Sequence, residues 1–215
     1  RNGGEDVSQI LSLMGLSPVW DGPTRRVIDL EIIPLNILNR PRVDITIRIS
    51  GMFRDAFPQL ISLLNKGQCL LSNLSESFDM NPYAERKRDG KEISKIYGSA
   101  PGAYGAGLQD LISYGKWDER DELVDSFLNW SKWRYTGVDN PKESKNLLIE
   151  SLKDVQVVLH NQDNKEHDLI DSDDYYQFHG GLAAAVENIN KKKPSILIAD
   201  HSRHSRPKIS NIEKE

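Results

Sequence analysis

The chain has one cysteine, Cys69, in 215 residues, so no disulfide can form within it. In an apolar, helically spaced setting that thiol reads as a small core side chain in a reducing compartment, and the expected location is the cytoplasm. No apolar run approaches the roughly 20 residues a membrane-spanning helix needs, and no secretory signal pattern is present. Basic excess is also lacking: the net charge is −4 and the pI about 5.8, which excludes the electrostatic footprint of a nucleic-acid binder. The Lys191-Lys192-Lys193 run stands beside Pro194 and reads as a turn. The glycines between Gly98 and Gly107 mimic a phosphate loop but lack a Gly-Lys-Ser/Thr end and the dinucleotide spacing, so ATP is not expected to bind here. There is no internal repeat. The first residue is Arg1, and both ends are expected to cut through continuing structure, making this a piece of a longer protein.

With 38% hydrophobic residues the chain can form one large domain or two small ones. The expectation is a single α/β region over 1–215, with a division into lobes of about 1–115 and 116–215 left open. A mixed sheet with flanking helices is predicted, with strands near 27–35, 43–49, 155–159 and 195–199. The cleanest alternation is Val43-Asp44-Ile45-Thr46-Ile47-Arg48-Ile49, which sets Val43, Ile45, Ile47 and Ile49 on one face. A helix is expected from Phe53 through Leu70, and an amphipathic one from Trp117 to Trp130, where Leu123, Val124, Phe127, Leu128 and Trp130 are read as core packing. The segment 72–91 reads as a polar surface connection.

Chemistry gathers where strands hand over to helices, the place where open α/β sheets build ligand sites. The richest junction runs from His160 to Gly181. Glu166, Asp168, Asp171, Asp173 and Asp174 offer hard oxygen ligands or bases, and His160, His167 and His179 offer imidazole nitrogen, which suits cobalt, nickel or zinc better than magnesium. Crowded carboxylates repel, so some should hold a transferable proton near neutral pH. A solvated acidic loop with helix-capping aspartates is the plainer alternative. Against it stand the interleaved Tyr175-Tyr176-Gln177-Phe178-His179 and the Gly180-Gly181 pair, which lets a backbone approach a ligand closely.

At a second junction Arg48, Arg54 and Asp55 flank the turn at Ser50-Gly51. They form either a structural ion pair or a grip on carboxylate groups. The glycine–alanine loop carries one aromatic, Tyr104. It either caps the next helix or lies against a flat apolar ligand. A third polar cluster, Asp200-His201-Ser202-Arg203-His204, follows the last predicted strand.

Four motifs, in consistent order over the whole chain, carry a resemblance to a known family. They are Arg40-Pro41-Arg42-Val43-Asp44 with Ile49-Ser50-Gly51-Met52-Phe53-Arg54-Asp55, Gly98 to Gln109, His160 to Gly181, and Ala199-Asp200-His201-Ser202. The chain resembles a C-terminal-region fragment of the large, N-type subunits of aerobic cobaltochelatase, a family shared with the porphyrin-binding large subunits of magnesium chelatase. The Pro101-Gly102-Ala103-Tyr104-Gly105 and Tyr175-to-Gly181 wording is similar to the cobalt branch.

That resemblance implies an α/β fragment of a much larger multidomain subunit. The activity it implies is ATP-dependent insertion of Co2+, as substrate metal, into hydrogenobyrinic acid a,c-diamide during cobalamin biosynthesis. It also implies AAA+ type partner subunits that hydrolyse ATP with Mg2+. The family's large subunits carry an upstream His-Gly-containing motif ending in a catalytic glutamate, which these residues lack, so this fragment alone is expected to be inactive. Gripping a tetrapyrrole points to Arg48 and Arg54 for rim carboxylates and to Tyr104, Tyr175, Tyr176 and Gln177 around the ring. Metal delivery and proton abstraction point to His179, aided by Asp171, Asp173, Asp174 and His167, with His179 and Asp174 as metal ligands. The magnesium branch has an acidic residue near the position of His179, and nitrogen there favours cobalt. The alternatives are a magnesium chelatase H-type subunit acting on protoporphyrin IX and a non-catalytic tetrapyrrole-binding or scaffold protein.

Overall fold

A computed structural model describes residues 4–115, 117, 119–137, 141–162, 175–201 and 208–211. The chain opens with helix α1 (Gly4–Met14), whose Glu5 and Asp6 suit the positive end of the helix dipole. Strands β1 (Leu16–Trp20) and β2 (Val27–Ile32) then form an antiparallel hairpin. After a short helix α2 (Leu35–Leu38), strand β3 (Ile47–Arg48) leads into α3 (Gly51–Ala56).

The single helix expected from Phe53 to Leu70 is two. Pro58 starts α4 (Pro58–Ser72), and Phe57 before it takes φ −132°, ψ 48°. A proline without an N–H and with a clash toward the preceding turn is stable at a helix start, not inside one. The stretch read as a surface connection contains α5 (Pro82–Arg88), capped by Asn81, whose side chain accepts from the Tyr83 and Ala84 amides. Further on lie β4 (Ile96–Gly98), α6 (Gln109–Ser113), α7 (Arg120–Ser131), β5 (Trp133–Arg134), β6 (Lys142–Glu143) and α8 (Lys145–Leu152). The last third holds β7 (Val157–Gln162), a π-helical segment (Tyr175–Gly180), α9 (Gly181–Asn190), β8 (Ser195–Asp200) and β9 (Lys208–Asn211).

The architecture is mixed α/β, as expected. Beside the hairpin stand a sheet in the order β3-β4-β5-β6, with β3 and β4 parallel, and a sheet in the order β7-β8-β9, with β7 and β8 parallel. Buried side chains form two clusters. One joins Leu11 and Met14 of α1 to Ile61, Leu64 and Leu71 of α4 and to Ile47 and Ile96. The other joins Phe127 and Leu128 of α7 to Leu148 and Leu152 of α8, Val158 of β7 and Ala185 and Val186 of α9. Strand β4 serves both, because successive side chains point to opposite faces: Ile96 enters the first and Tyr97 the second. Cys69 is half-buried in α4, and burial pushes its thiol pKa up. Among the described residues no helix is long and apolar enough to cross a membrane.

Candidate functional site

The β3–α3 junction is built from the capping residue outward. Ser50 Oγ accepts the Phe53 N–H at 3.0 Å, which starts α3 and fixes Arg48 on one side of the turn and Arg54 on the other. Arg54 is engaged throughout. It makes a two-pronged ion pair with Asp55, Nε to Oδ1 at 2.6 Å and Nη2 to Oδ2 at 2.8 Å. Its Nη1 donates to the carbonyls of Ala100 at 2.7 Å and Ala103 at 3.1 Å. The guanidinium therefore ties the glycine–alanine loop to α3, so the ion-pair alternative describes its geometry. Tyr104, 56% exposed, is held at the loop's tip. Its hydroxyl donates to Asp55 Oδ2 at 2.7 Å, and the Arg54 guanidinium lies 5.5 Å from its ring centroid. Arg54 and Tyr104 together hold the Asp55 carboxyl down at about 2.

Arg48 is differently placed. Its Nη2 donates to the Gly105 carbonyl at 2.8 Å and its Nε reaches Ser131 Oγ at 3.4 Å. Its guanidinium carbon lies 4.3 Å from the Phe178 ring centroid and 5.9 Å from that of Phe127. Nη1 is buried and has no hydrogen-bond partner among the described residues. Burial disfavours the cation and pushes the pKa down to about 9.

The π-helical segment brings the third group of side chains. Gln177 is buried, and its Oε1 accepts the Ala106 N–H at 3.3 Å, fastening the segment to the glycine loop. Phe178 covers Arg48. His179, 6% exposed, stacks on His160 of β7 with ring centroids 5.4 Å apart and planes 23° from parallel. Burial first, and the His160 charge second, push its pKa down to about 4, against a hydrogen bond to the Val158 backbone. His179 Nε2 is buried with no partner among the described residues.

The structure therefore brings Arg48, Arg54, Tyr104, Gln177 and His179 onto one set of adjoining segments. Tyr176 lies half-buried in the π-helical segment. The backbone of Tyr175 opens that segment, while its side chain and residues His167, Asp171, Asp173 and Asp174 lie outside the described residues. Among the described residues no three His, Cys, Asp or Glu side chains gather as a metal-binding group. Sequence reasoning passed over Phe178 and Ser131. Phe178 sits inside a motif already singled out, but nothing in the spacing pairs it with Arg48. At the end of β7, Asn161 Nδ2 bonds Asp6 of α1, and at the third junction Gln9 lies 2.6 Å from His201 Nε2.

A family model described as CobN/Magnesium Chelatase matches residues 1–215. The chain is 42% identical to an aerobic cobaltochelatase subunit CobN from Sinorhizobium sp and 40% identical to the one from Pseudomonas aeruginosa, each alignment covering 100% of this chain and 18% of the relative. A magnesium-chelatase H-type subunit from Cereibacter sphaeroides is 30% identical over 94% of this chain and 18% of its own length. Among solved structures, the catalytic subunit of cobaltochelatase from Mycobacterium tuberculosis superposes with a TM-score of 0.94 at 35% identity, over 100% of this chain and 19% of that one. The chain thus spans about a fifth of the length of the relatives it matches.

Proposed function

This chain belongs to the CobN/magnesium chelatase family, and on that premise we propose that it forms part of the tetrapyrrole-binding catalytic subunit of a cobaltochelatase. The substrates are Co2+ and hydrogenobyrinic acid a,c-diamide. AAA+ type partner subunits hydrolyse ATP with Mg2+, and the complex works in the cytoplasm. The observation that carries the cobalt reading is the likeness of 40% and 42% to CobN relatives against 30% to a magnesium-chelatase relative. Imidazole nitrogen at His179, a better ligand for cobalt than for magnesium, agrees with it.

Insertion replaces two pyrrole N–H protons by the metal, so the site must hold the ring, receive the metal and accept protons. Arg48 takes a rim carboxylate through Nη1, which has no partner among the described residues. Tyr104, Tyr175, Tyr176 and Gln177 border the ring. Arg54 acts through the loop that carries Tyr104, since its donors are already engaged there. His179 Nε2 offers the lone pair that meets the metal, with Asp174 as a second ligand, and Asp171, Asp173 and His167 receive protons. The rest of the large subunit supplies what this chain does not span.

The test is a titration of the chain and of the full-length subunit with hydrogenobyrinic acid a,c-diamide and with protoporphyrin IX, followed by absorbance. Preferential binding of the corrinoid precursor, weakened at least tenfold by Arg48→Ala, is expected, as is loss of cobalt insertion in full-length His179→Ala assembled with its partners. Preference for the porphyrin would assign the chain to the magnesium branch. Full chelation by His179→Ala would overturn the metal role.

A further inference from the structure

Three consecutive side chains of the π-helical segment serve three different neighbours. Gln177 reaches the Ala106 amide, Phe178 the Arg48 guanidinium and His179 the His160 ring. A π-helical turn adds a residue to each turn and rotates the following side chains, which is why such segments recur at functional sites. Here the turn lets Phe178 face Arg48 while its neighbours face elsewhere.

We propose that Phe178 is a positioning residue that holds Arg48 with Nη1 directed at the anionic group of the ligand, so that this aromatic face helps set affinity for a carboxylated macrocycle. The Arg48 Nη2 bond to Gly105 at 2.8 Å is short, whereas the Nε contact to Ser131 at 3.4 Å is long. Two hydrogen bonds on one edge leave a planar guanidinium free to tilt about that edge. The Phe178 ring, 4.3 Å from the guanidinium carbon, restricts the tilt, and Phe127, at 5.9 Å, is too distant to do so alone. Bidentate recognition of a carboxylate depends on the guanidinium plane, so tilt weakens it directly. The ring also shields Arg48 from water, which strengthens its attraction for an arriving anion.

The inference rests on the function proposed above, and its test separates the two. In the full-length subunit, Phe178→Ala is expected to weaken binding of hydrogenobyrinic acid a,c-diamide about tenfold, the scale of a desolvated cation–π contact. Phe178→Tyr should restore most of that affinity, and Phe178→Ala should add little once Arg48 is already alanine. With the partner subunits assembled, the KM for Co2+ should stay unchanged. A second readout needs no macrocycle: the rate at which phenylglyoxal modifies Arg48, followed by peptide mass spectrometry, should rise severalfold in Phe178→Ala and not in Phe178→Tyr. If the wild-type protein binds no tetrapyrrole while Arg48 becomes more reactive in Phe178→Ala, the positioning role stands and the ligand assignment fails. Unchanged Arg48 reactivity, or losses from Phe178→Ala and Arg48→Ala that simply add, would overturn the role of Phe178.

Discussion

Gln177 Oε1 accepts the Ala106 N–H at 3.3 Å, and a Cβ added to Gly105 would lie at the same distance from that oxygen. One amide side chain thus joins the segment carrying His179 to the loop carrying Tyr104. Gly105 has φ +79°, a conformation that costs an alanine about 1 kcal/mol or more. Gln177→Leu leaves the buried Ala106 amide without its partner, a loss of roughly 1–3 kcal/mol. Faster hydrogen exchange at Ala106 is expected in Gln177→Leu and in Gly105→Ala, with little change in amides of the β1–β2 hairpin. Equal protection of Ala106 in wild type and both variants would show that the link does not hold the loop.

A different pair carries the first core cluster. Arg42 makes a two-pronged ion pair with Glu76, at 2.7 and 2.8 Å, and donates as well to the carbonyls of Met14, Gly15 and Ile33. It staples the end of α1 and the hairpin to the loop after α4. Removing one member of such a buried pair leaves the other uncompensated, so Arg42→Ala is expected to cost roughly 3–5 kcal/mol in urea unfolding. A cost below about 1 kcal/mol, the range of exposed pairs, would contradict the burial of this one.

The same pair fixes an acid dependence. Hydrogen bonding to Arg42 holds the Glu76 carboxyl below its ordinary value of 4.5. The unfolded chain therefore binds the proton first as pH falls. The stabilisation from Glu76 is complete above about pH 4.5 and drains away as pH drops toward the depressed value. Urea midpoints measured from neutral pH down into the acid range should fall less steeply for Glu76→Gln than for wild type, from a lower starting point. Parallel curves would mean that other carboxylates govern the acid limb.

These elements differ in how far the sequence disclosed them. The alternation of residues 43–49 predicts a strand over the whole run, yet only Ile47 and Arg48 form one, paired with Ile96 and Tyr97, and Val43, expected on the buried face, is exposed. Earlier amides and carbonyls bond elsewhere: the Val43 N–H to Leu13, and the Val43 carbonyl and Ile45 N–H to the Tyr83 hydroxyl. Periodicity does not report which backbone lies alongside. The two arginines teach the same lesson at the site. Arg48 and Arg54 are equal candidates by residue type, but Asp55 and the loop carbonyls engage Arg54, whereas Arg48 keeps Nη1 without a partner among the described residues. That distinction, like the Phe178 contact, arises between segments far apart in the chain, where local pattern carries no information. The run from Tyr175 to Gly181 marked His179 as a candidate and the structure buries it, but its stacking on His160 lay beyond local pattern.

Gly181 offers a check on packing beneath the site. It opens α9 directly after the π-helical segment, and a Cβ there would sit 2.6 Å from Phe127 Cδ2 and 2.8 Å from Leu108 Cδ1. Both are buried members of the second cluster. Gly181→Ala should cost about 1–3 kcal/mol through overpacking, seen as a lowered thermal midpoint. Gly4→Ala, in open space, should leave the midpoint unchanged. Equal midpoints for the two variants would place α9 farther from α7 than these distances allow.

The glycine at the start of α3 ties packing to ligand binding most directly. A Cβ on Gly51 would lie 2.7 Å from the Ala103 carbonyl oxygen and 2.8 Å from Tyr104 Cδ1. That carbonyl already accepts from Ser99 Oγ at 2.7 Å and Arg54 Nη1 at 3.1 Å, so the loop cannot retreat without loosening the Arg54 clamp. Its neighbour Met52 is 75% exposed and supports nothing beneath it. Gly51→Ala is therefore expected to displace Tyr104 from Asp55 and to weaken macrocycle binding severalfold, with a stability cost of about 1–3 kcal/mol. Met52→Ala is the control, expected to match wild type in thermal midpoint. If Gly51→Ala binds the ring as tightly as wild type, the Tyr104 loop is not part of the macrocycle's seat, and Arg48 with the π-helical segment must hold it without that loop.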